Sequence, residues 1–265
     1  MKKWMFLVVF TFAFILASST KADLPKSADE SGVDHGVKWT AHVLVKGDSP
    51  NSLFGNWSNY VIRFNKMAKK YWKPGVIIKK PVADALPLLK EWTPMPKEYE
   101  NCSQKGVCLS KSKIGIVVDL KEQFLGVYEY GKLKKFTGKK LEDNGYVYIS
   151  YPVATGMSAV ECLDSKTKQL KSCATPSGFF KIQTSVKDKS RKVKISKIFS
   201  YRYKVWMYWP LHLGNSRFIH GTSPANNLPG YAASHGCVRM FNKNAYALYK
   251  MIPIGTPVFI VPTTD

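Results

Sequence analysis

Two apolar runs separated by a short polar turn constrain this chain more than any other feature in it. Ile114-Gly115-Ile116-Val117-Val118-Asp119-Leu120 and Gln123-Phe124-Leu125-Gly126-Val127-Tyr128 are short, rich in β-branched and aromatic residues, and bounded by turn formers. They predict successive strands, with Tyr130-Gly131 as the next turn. A further strand is expected over 146–153, closed by Ala154-Thr155-Gly156. In Thr175-Pro176-Ser177-Gly178, proline presets the first central position of a type I turn and glycine suits the last, so another strand is expected to begin at Phe179-Phe180-Lys181-Ile182. Near the end of the chain, Asn242 is expected to cap a helix over 243–251 that places Ala245, Leu248 and Met251 on one face. Pro253 and Gly255 stop that helix, and 258–261 supplies a last strand. The fold class is therefore mainly β with a few short helices.

The chemistry is concentrated in 220–240. His220-Gly221-Thr222 follows the apolar pair Phe218-Ile219, so His220 is expected at the end of a strand. A loop rich in Pro, Gly and Asn then leads to Ser234-His235-Gly236-Cys237-Val238-Arg239-Met240. A thiol is a useful nucleophile only as the thiolate, and a free pKa of ~8.5 leaves little of that form at neutral pH without a base or a positive field nearby. A histidine supplies either. Gly236 lets the backbone turn sharply before Cys237, and the N–H groups of Gly236 and Cys237 are expected to converge on a carbonyl oxygen becoming an oxyanion. A zinc site built from His212, His220, His235 and Cys237 lacks the usual short ligand spacings, so no metal is expected.

His-Gly-Thr, a gap, and Ser-His-Gly-Cys-Val-Arg-Met together resemble the signature of the L,D-transpeptidase (YkuD-type) catalytic domain. The run 117–128, Ala154-Thr155-Gly156 and Thr175-Pro176-Ser177-Gly178-Phe179 are similar to other parts of the same family. The resemblance implies a β-rich catalytic fold over 111–265, no cofactor, and peptidoglycan stem peptides as substrate. It makes Cys237 the nucleophile that forms a thioester, His220 the base, and the Gly221 carbonyl the group that orients the imidazole. His235 and Gly236 join the catalytic set, and Ser234 and Arg239 fall where substrate contacts are expected. The thioester would pass to an amine, giving a cross-link or an attached envelope protein, or to water, giving an L,D-carboxypeptidase. A non-catalytic peptidoglycan-binding protein is the alternative from another class.

Lys2 and Lys3 precede an apolar run over 4–17, and small residues close at Ala22, which predicts a signal peptide over 1–22. That run is short for a membrane span, which needs ~20 residues, so no stable span is expected after cleavage. The formal charge is +22, and removing Lys2, Lys3 and Lys21 with the leader leaves +19. An exported chain of this charge is drawn to anionic envelope polymers rather than to nucleic acid, and the periplasm or cell envelope is the expected location. Five cysteines are an odd count. Cys102–Cys108 and Cys162–Cys173 are the simplest local disulfides and leave Cys237 free, although other pairings of the four satisfy the same count.

Before the strands, 23–38 is polar and reads as a poorly ordered lead-in. A strand from Ala41, a helical middle over 51–65 and a strand at Val76-Ile77-Ile78 follow, and Gly47-Asp48-Ser49, Asn65, Gly75 and Pro81 are similar to the pattern of a LysM module. Serine stands at 49 where that pattern has threonine. The resemblance implies a small α+β domain over 39–82 that binds glycan strands. Residues 83–110, with Pro87, Pro94, Pro96 and the anchor Trp92, read as a linker or strap. The basic and aromatic stretch 185–209 is expected to flank an acidic substrate, with Tyr208 the substrate-contacting ring.

Overall fold

The computed structural model describes residues 24–67, 69–136, 147–157, 161–163, 170–183, 196–222 and 232–262. The leader expected over 1–22 lies outside them. Among the described residues no helix is long and apolar enough to cross a membrane.

The chain opens with β1 (Ser31–Asp34) and β2 (Val37–Val43), an antiparallel hairpin. The expected lead-in is therefore folded. His35 and Gly36, at φ 45° and 86°, supply the two left-handed residues that a tight two-residue hairpin turn needs. Next comes α1 (Pro50–Phe54), which starts at a capping box formed by the Ser49 and Ser52 hydroxyls. After a short 3₁₀ turn, α2 (Ser58–Phe64) leads to Asn65. The Asn65 carboxamide donates to the Lys79 carbonyl at 2.9 Å and accepts the Lys79 N–H at 2.7 Å, fixing β3 (Ile77–Pro81) beside the helix end. The sheet order is β1-β2-β3.

The segment expected as a linker carries a 3₁₀-helix at Ala83–Lys90, and Leu89, Trp92 and Met95 within 83–110 are buried. Arg63 of α2 is 1% exposed; it donates to the carbonyls of Leu89 and Trp92 and lies 5.6 Å from the Trp92 ring centre. Cys102 and Cys108 form a disulfide.

There follow β4 (Gly115–Asp119), β5 (Phe124–Glu129), β6 (Lys132–Leu133) and β7 (Ser150–Pro152), then a small hairpin of β8 (Glu161–Leu163) and β9 (Leu170–Ser172), then β10 (Gly178–Lys181). A second group comprises β11 (Lys197–Ser200), β12 (Val205–Gly214), β13 (Arg217–Thr222) and β14 (Val238–Phe241). It is followed by α3 (Asn242–Met251) and β15 (Pro257–Val261). One sheet runs β10-β15-β4-β5-β6 with β7 on β5, and the other runs β11-β12-β13-β14. Cys173 is disulfide-bonded, while the side chain of its expected partner Cys162 lies outside the described residues.

The first of these sheets is covered on both faces. Val117, Phe124, Tyr128 and Phe259 pack with Phe64, Trp92 and Met95 of the N-terminal unit and strap. Ile116, Val118, Leu125, Val127 and Ile260 pack on the other side with Ile219, Val238, Met240 and Leu248. Two-sided burial explains why β4 reads as a continuous apolar run rather than an alternation. Arg63 closes the junction between the N-terminal unit and the strap. Arg63→Ala will lower the unfolding free energy by about 3 kcal/mol in urea titration, since it strands two buried carbonyls as well as removing packing. Arg63→Lys, without a fork to span both carbonyls, will recover only part of the loss.

Candidate active site

The site is built on β13 and β14, which pair in parallel with Ile219 opposite Val238 and His220 opposite Arg239. Ile219 and Val238 are buried in the inner core, so alternation along a strand sends His220 and Arg239 to the other face. The inner face is closed by α3. A Cβ on Gly221 would lie 2.3 Å from Asn242 Oδ1 and 3.2 Å from the Ala245 methyl, so only glycine admits the helix this close. The position expected for the helix cap is corrected by the same contact. Phe241 is the N-cap residue with no side-chain cap bond, and Asn242, the first helical residue, is turned toward β13.

Cys237 is a free thiol of intermediate exposure. A hydrogen bond from the Phe218 backbone to the sulfur sets it against β13, two residues from His220 in sequence. The loop that carries the thiol is held from below. The N–H groups of Ala233 and Ser234 both donate to the Thr155 carbonyl, at 2.9 and 2.8 Å, and Ala154 and Arg239 exchange backbone bonds at 3.0 and 2.9 Å. The Thr175 hydroxyl accepts the Gly156 N–H at 2.7 Å and donates to the Gly236 carbonyl at 3.2 Å. Gly236 has φ 103°, a region that side-chain-bearing residues rarely enter, and this is the sharp turn expected before Cys237.

The His220 ring is 5% exposed, and its Nδ1 lies 2.8 Å from the Gly221 carbonyl oxygen. A carbonyl only accepts, so Nδ1 carries the hydrogen and Nε2 keeps its lone pair. Burial is the main cause that drives the His220 pKa down to about 4; the Gly221 carbonyl opposes the fall and the Arg239 charge adds to it. Burial pushes the Cys237 thiol up, against the Phe218 hydrogen bond and the charges of Arg239 and Arg217. Thiol and imidazole are thus both neutral at rest.

Residues 113–260, more than half of the chain, match the family model of the L,D-transpeptidase catalytic domain, YkuD. The chain belongs to this family. It is a transpeptidase, an acyltransferase of peptidoglycan. Among solved structures it is similar to an L,D-transpeptidase from Stackebrandtia nassauensis, at 23% identity, 68% coverage of this chain, 67% of that one and a TM-score of 0.43. An L,D-transpeptidase from Xylanimonas cellulosilytica gives 20%, 78%, 80% and 0.46 in the same terms. One from Mycobacterium smegmatis gives 18%, 57%, 59% and 0.39. No curated protein matches the chain.

The transpeptidase brings His220, Gly221, Gly236, Cys237 and Arg239 into one neighbourhood, but three expected roles change. The Gly236 N–H donates to the Ser234 hydroxyl at 3.2 Å, so it is not one of a free pair aimed at an oxyanion. Ser234 is fully buried and its hydroxyl donates to the Cys237 carbonyl, so it staples the turn that carries Cys237. Tyr208 pairs with Gly221, and its register puts it on the face that α3 covers, away from His220. The aromatic ring that reaches the motif among the described residues is Tyr203, stacked on His235 with ring centres 4.5 Å apart. The His235 pKa is lowered by burial first, then by Arg239 and Arg202. Arg239 also donates to the Ala233 carbonyl at 3.0 Å.

Gln123, Thr155 and Thr175, in stretches similar to the family but given no role there, also serve the site. The signal for Gln123 was a lone carboxamide heading the apolar run 124–128.

Because the folded His220 pKa lies below its ordinary 6.5, the unfolded state binds the extra proton between pH 6.5 and about 4. Stability gained from a neutral His220 is complete above that window and falls on acidification by about 1.4 kcal/mol per pH unit within it. Thermal or urea unfolding across pH 4–7 will show that slope, and His220→Gln will flatten it. Gly221→Ala will displace α3 or β13 and reduce transpeptidase activity by roughly 10²-fold, since a misplacement of about 1 Å near the chemistry has that size. Circular dichroism and turnover of a muropeptide donor check it.

Proposed function

We propose that the protein is an exported L,D-transpeptidase that works through a Cys237 thioester, with His220 as its base. The observation that carries this reading is the buried, neutral His220, its Nδ1–H given to Gly221 and its Nε2 unprotonated, on the strand that hydrogen-bonds the free Cys237 thiol. Nε2 takes the thiol proton as sulfur attacks the carbonyl joining the third stem residue to the terminal D-alanine. The amide N–H of Cys237, the remaining member of the expected donor pair, holds the oxyanion. The tetrahedral centre collapses, the C–N bond breaks, and D-alanine leaves with the proton returned from His220. An amine of a second stem then attacks the thioester and loses its proton to His220. Sulfur departs and is reprotonated, leaving a cross-link.

The same reading assigns the acidic substrate to a basic surface. No Asp or Glu occurs between Lys189 and Thr264, a stretch that contains Arg202, Arg217 and Arg239. Stem carboxylates and anionic envelope polymers are attracted to such a surface. The N-terminal unit of three strands and two short helices is proposed as the LysM-like contact to glycan strands.

Incubation of the mature protein with a purified disaccharide-tetrapeptide, followed by intact-protein mass spectrometry, tests the reading. A stem-sized adduct is expected on wild-type protein and absent from Cys237→Ala, with dimeric muropeptide as product. Tripeptide without dimer would assign water as the acceptor. No adduct, from a protein whose thiol reacts no faster than free cysteine, would overturn the catalytic assignment. His220→Gln is expected to fold and to lose at least about 10²-fold in acylation rate, the usual range for removing a positioned base.

A further inference from the structure

Gln123 lies outside the 220–240 stretch, yet its surroundings are those of a fixed part of the site. It is 2% exposed and sits at φ 53°, the left-handed region, immediately before β5. A residue that is not glycine stays there only where its neighbours over-determine it. They do so here from two sides.

The turn before Gln123 is held by Asp119, whose Oδ1 accepts the N–H groups of Lys121 and Glu122 at 2.9 and 2.8 Å. Glu122 in turn forms an ion pair with Lys66, a residue 8% exposed just beyond α2. The N-terminal unit therefore grips the turn directly.

On the other side, the Gln123 carboxamide uses both its ends on Thr155. Nε2 donates to Thr155 Oγ1 at 2.7 Å and to the Leu120 carbonyl at 2.6 Å, while Oε1 accepts the Thr155 N–H at 2.9 Å. The Gln123 carbonyl accepts the Val153 N–H at 2.8 Å. Thr155 is itself 1% exposed, and its carbonyl is the acceptor shared by Ala233 and Ser234. Ser234 then closes the nucleophile turn through the Gly236 N–H and the Cys237 carbonyl.

We propose that Gln123 is a positioning residue for acyl transfer: its carboxamide fixes Thr155, and Thr155 sets the height and direction of the loop that presents Cys237. The Lys66–Glu122 pair makes the N-terminal unit the outer end of this brace. The inference rests on Cys237 as nucleophile, and it assigns to Gln123 no contact with substrate. A carboxamide suits the task because it offers a donor and an acceptor in one plane, matching the hydroxyl and the amide of one threonine. A carboxylate lacks the donor, and an apolar chain of the same length lacks both.

The test compares Gln123→Met, Thr155→Val, Thr155→Ser and the double variant Gln123→Met/Thr155→Val with wild type. Each is assayed for turnover of a disaccharide-tetrapeptide, for the pH dependence of Cys237 alkylation by iodoacetamide, and for thermal unfolding. At temperatures where the variants remain folded, Gln123→Met is expected to reduce kcat roughly 10²-fold with KM within about twofold, the pattern of a misaimed reactive group. Its alkylation profile is expected to move along the pH axis. Thr155→Val is expected to show a smaller loss that Thr155→Ser restores. The double variant is expected to lose no more than Gln123→Met alone, because both substitutions break one path.

A folded Gln123→Met with kcat within twofold of wild type, or losses that multiply in the double variant, would overturn the proposal. Should Gln123→Met not fold, the Thr155 pair decides, and equal kcat in Thr155→Val and Thr155→Ser overturns it. Alkylation needs no muropeptide, so a wild-type protein without turnover would refute the functional reading while the brace is still judged on the thiol.

Discussion

The parallel pairing of β13 with β14 is the interaction on which the remainder of the site depends. Because side chains alternate along a strand, the register that places Ile219 beside Val238 in the core also places His220 beside Arg239 on the opposite face. A slip of one residue would send the imidazole into the core and Ile219 out. Two features prevent the slip. Gly221 is the one position on β13 where α3 can press this closely, with Asn242 and Ala245 filling the space of its missing side chain. On the outer edge of β14, Arg239 exchanges backbone bonds with Ala154, so the strand is fixed from both sides. The catalytic geometry is thus a by-product of core burial and one glycine.

Burial also decides the resting electrostatics. An imidazole taken out of water is easier to keep neutral than charged, and so is a thiol, so desolvation moves the two pKa values apart rather than together. The positive charge of Arg239 lowers both of them, which assists the thiol and further discharges the imidazole. Both directions favour SH and neutral imidazole in the resting pair. In the proposed reaction proton transfer would accompany attack, and the Gly221 carbonyl, 2.8 Å from Nδ1, would stabilise the imidazolium as its charge develops.

Much of this was legible in the chain itself, and the reasons for the exceptions are specific. Strands β4 and β5 follow directly from apolar runs bounded by turns. The grouping of Cys237 with His220 follows from residue types and order, and the turn at Gly236 from the need for a positive φ. What was not legible depends on tertiary register. Tyr208 and Tyr203 are equally good aromatic neighbours in sequence, and only the pairing of Tyr208 with Gly221 and the stacking of Tyr203 on His235 separates them. Ser234 carries a hydroxyl fit for substrate, yet it is consumed by the turn it belongs to. The hairpin of β1 and β2 was missed because its turn is His35-Gly36, in which histidine takes a left-handed conformation that a polar segment does not advertise.

The same two-sided burial that makes 115–118 of β4 apolar ties the N-terminal unit to the catalytic sheet. Val117, Phe124, Tyr128 and Phe259 turn toward Trp92, Met95 and Phe64, while their strand neighbours turn toward the catalytic sheet. If the N-terminal unit were a bead on a flexible tether, this face would stand open to water. At about 25 cal/mol per Å² of apolar surface, and with aromatic side chains that bury some 150–250 Å² each, the exposure would weigh several kcal/mol against the fold. Arg63 and Lys66 strengthen the argument, since a buried cation is retained only where its partners are fixed, and their partners lie in the strap and in the turn before β5. The described residues between 24 and 110 therefore act as the second wall of the catalytic sheet.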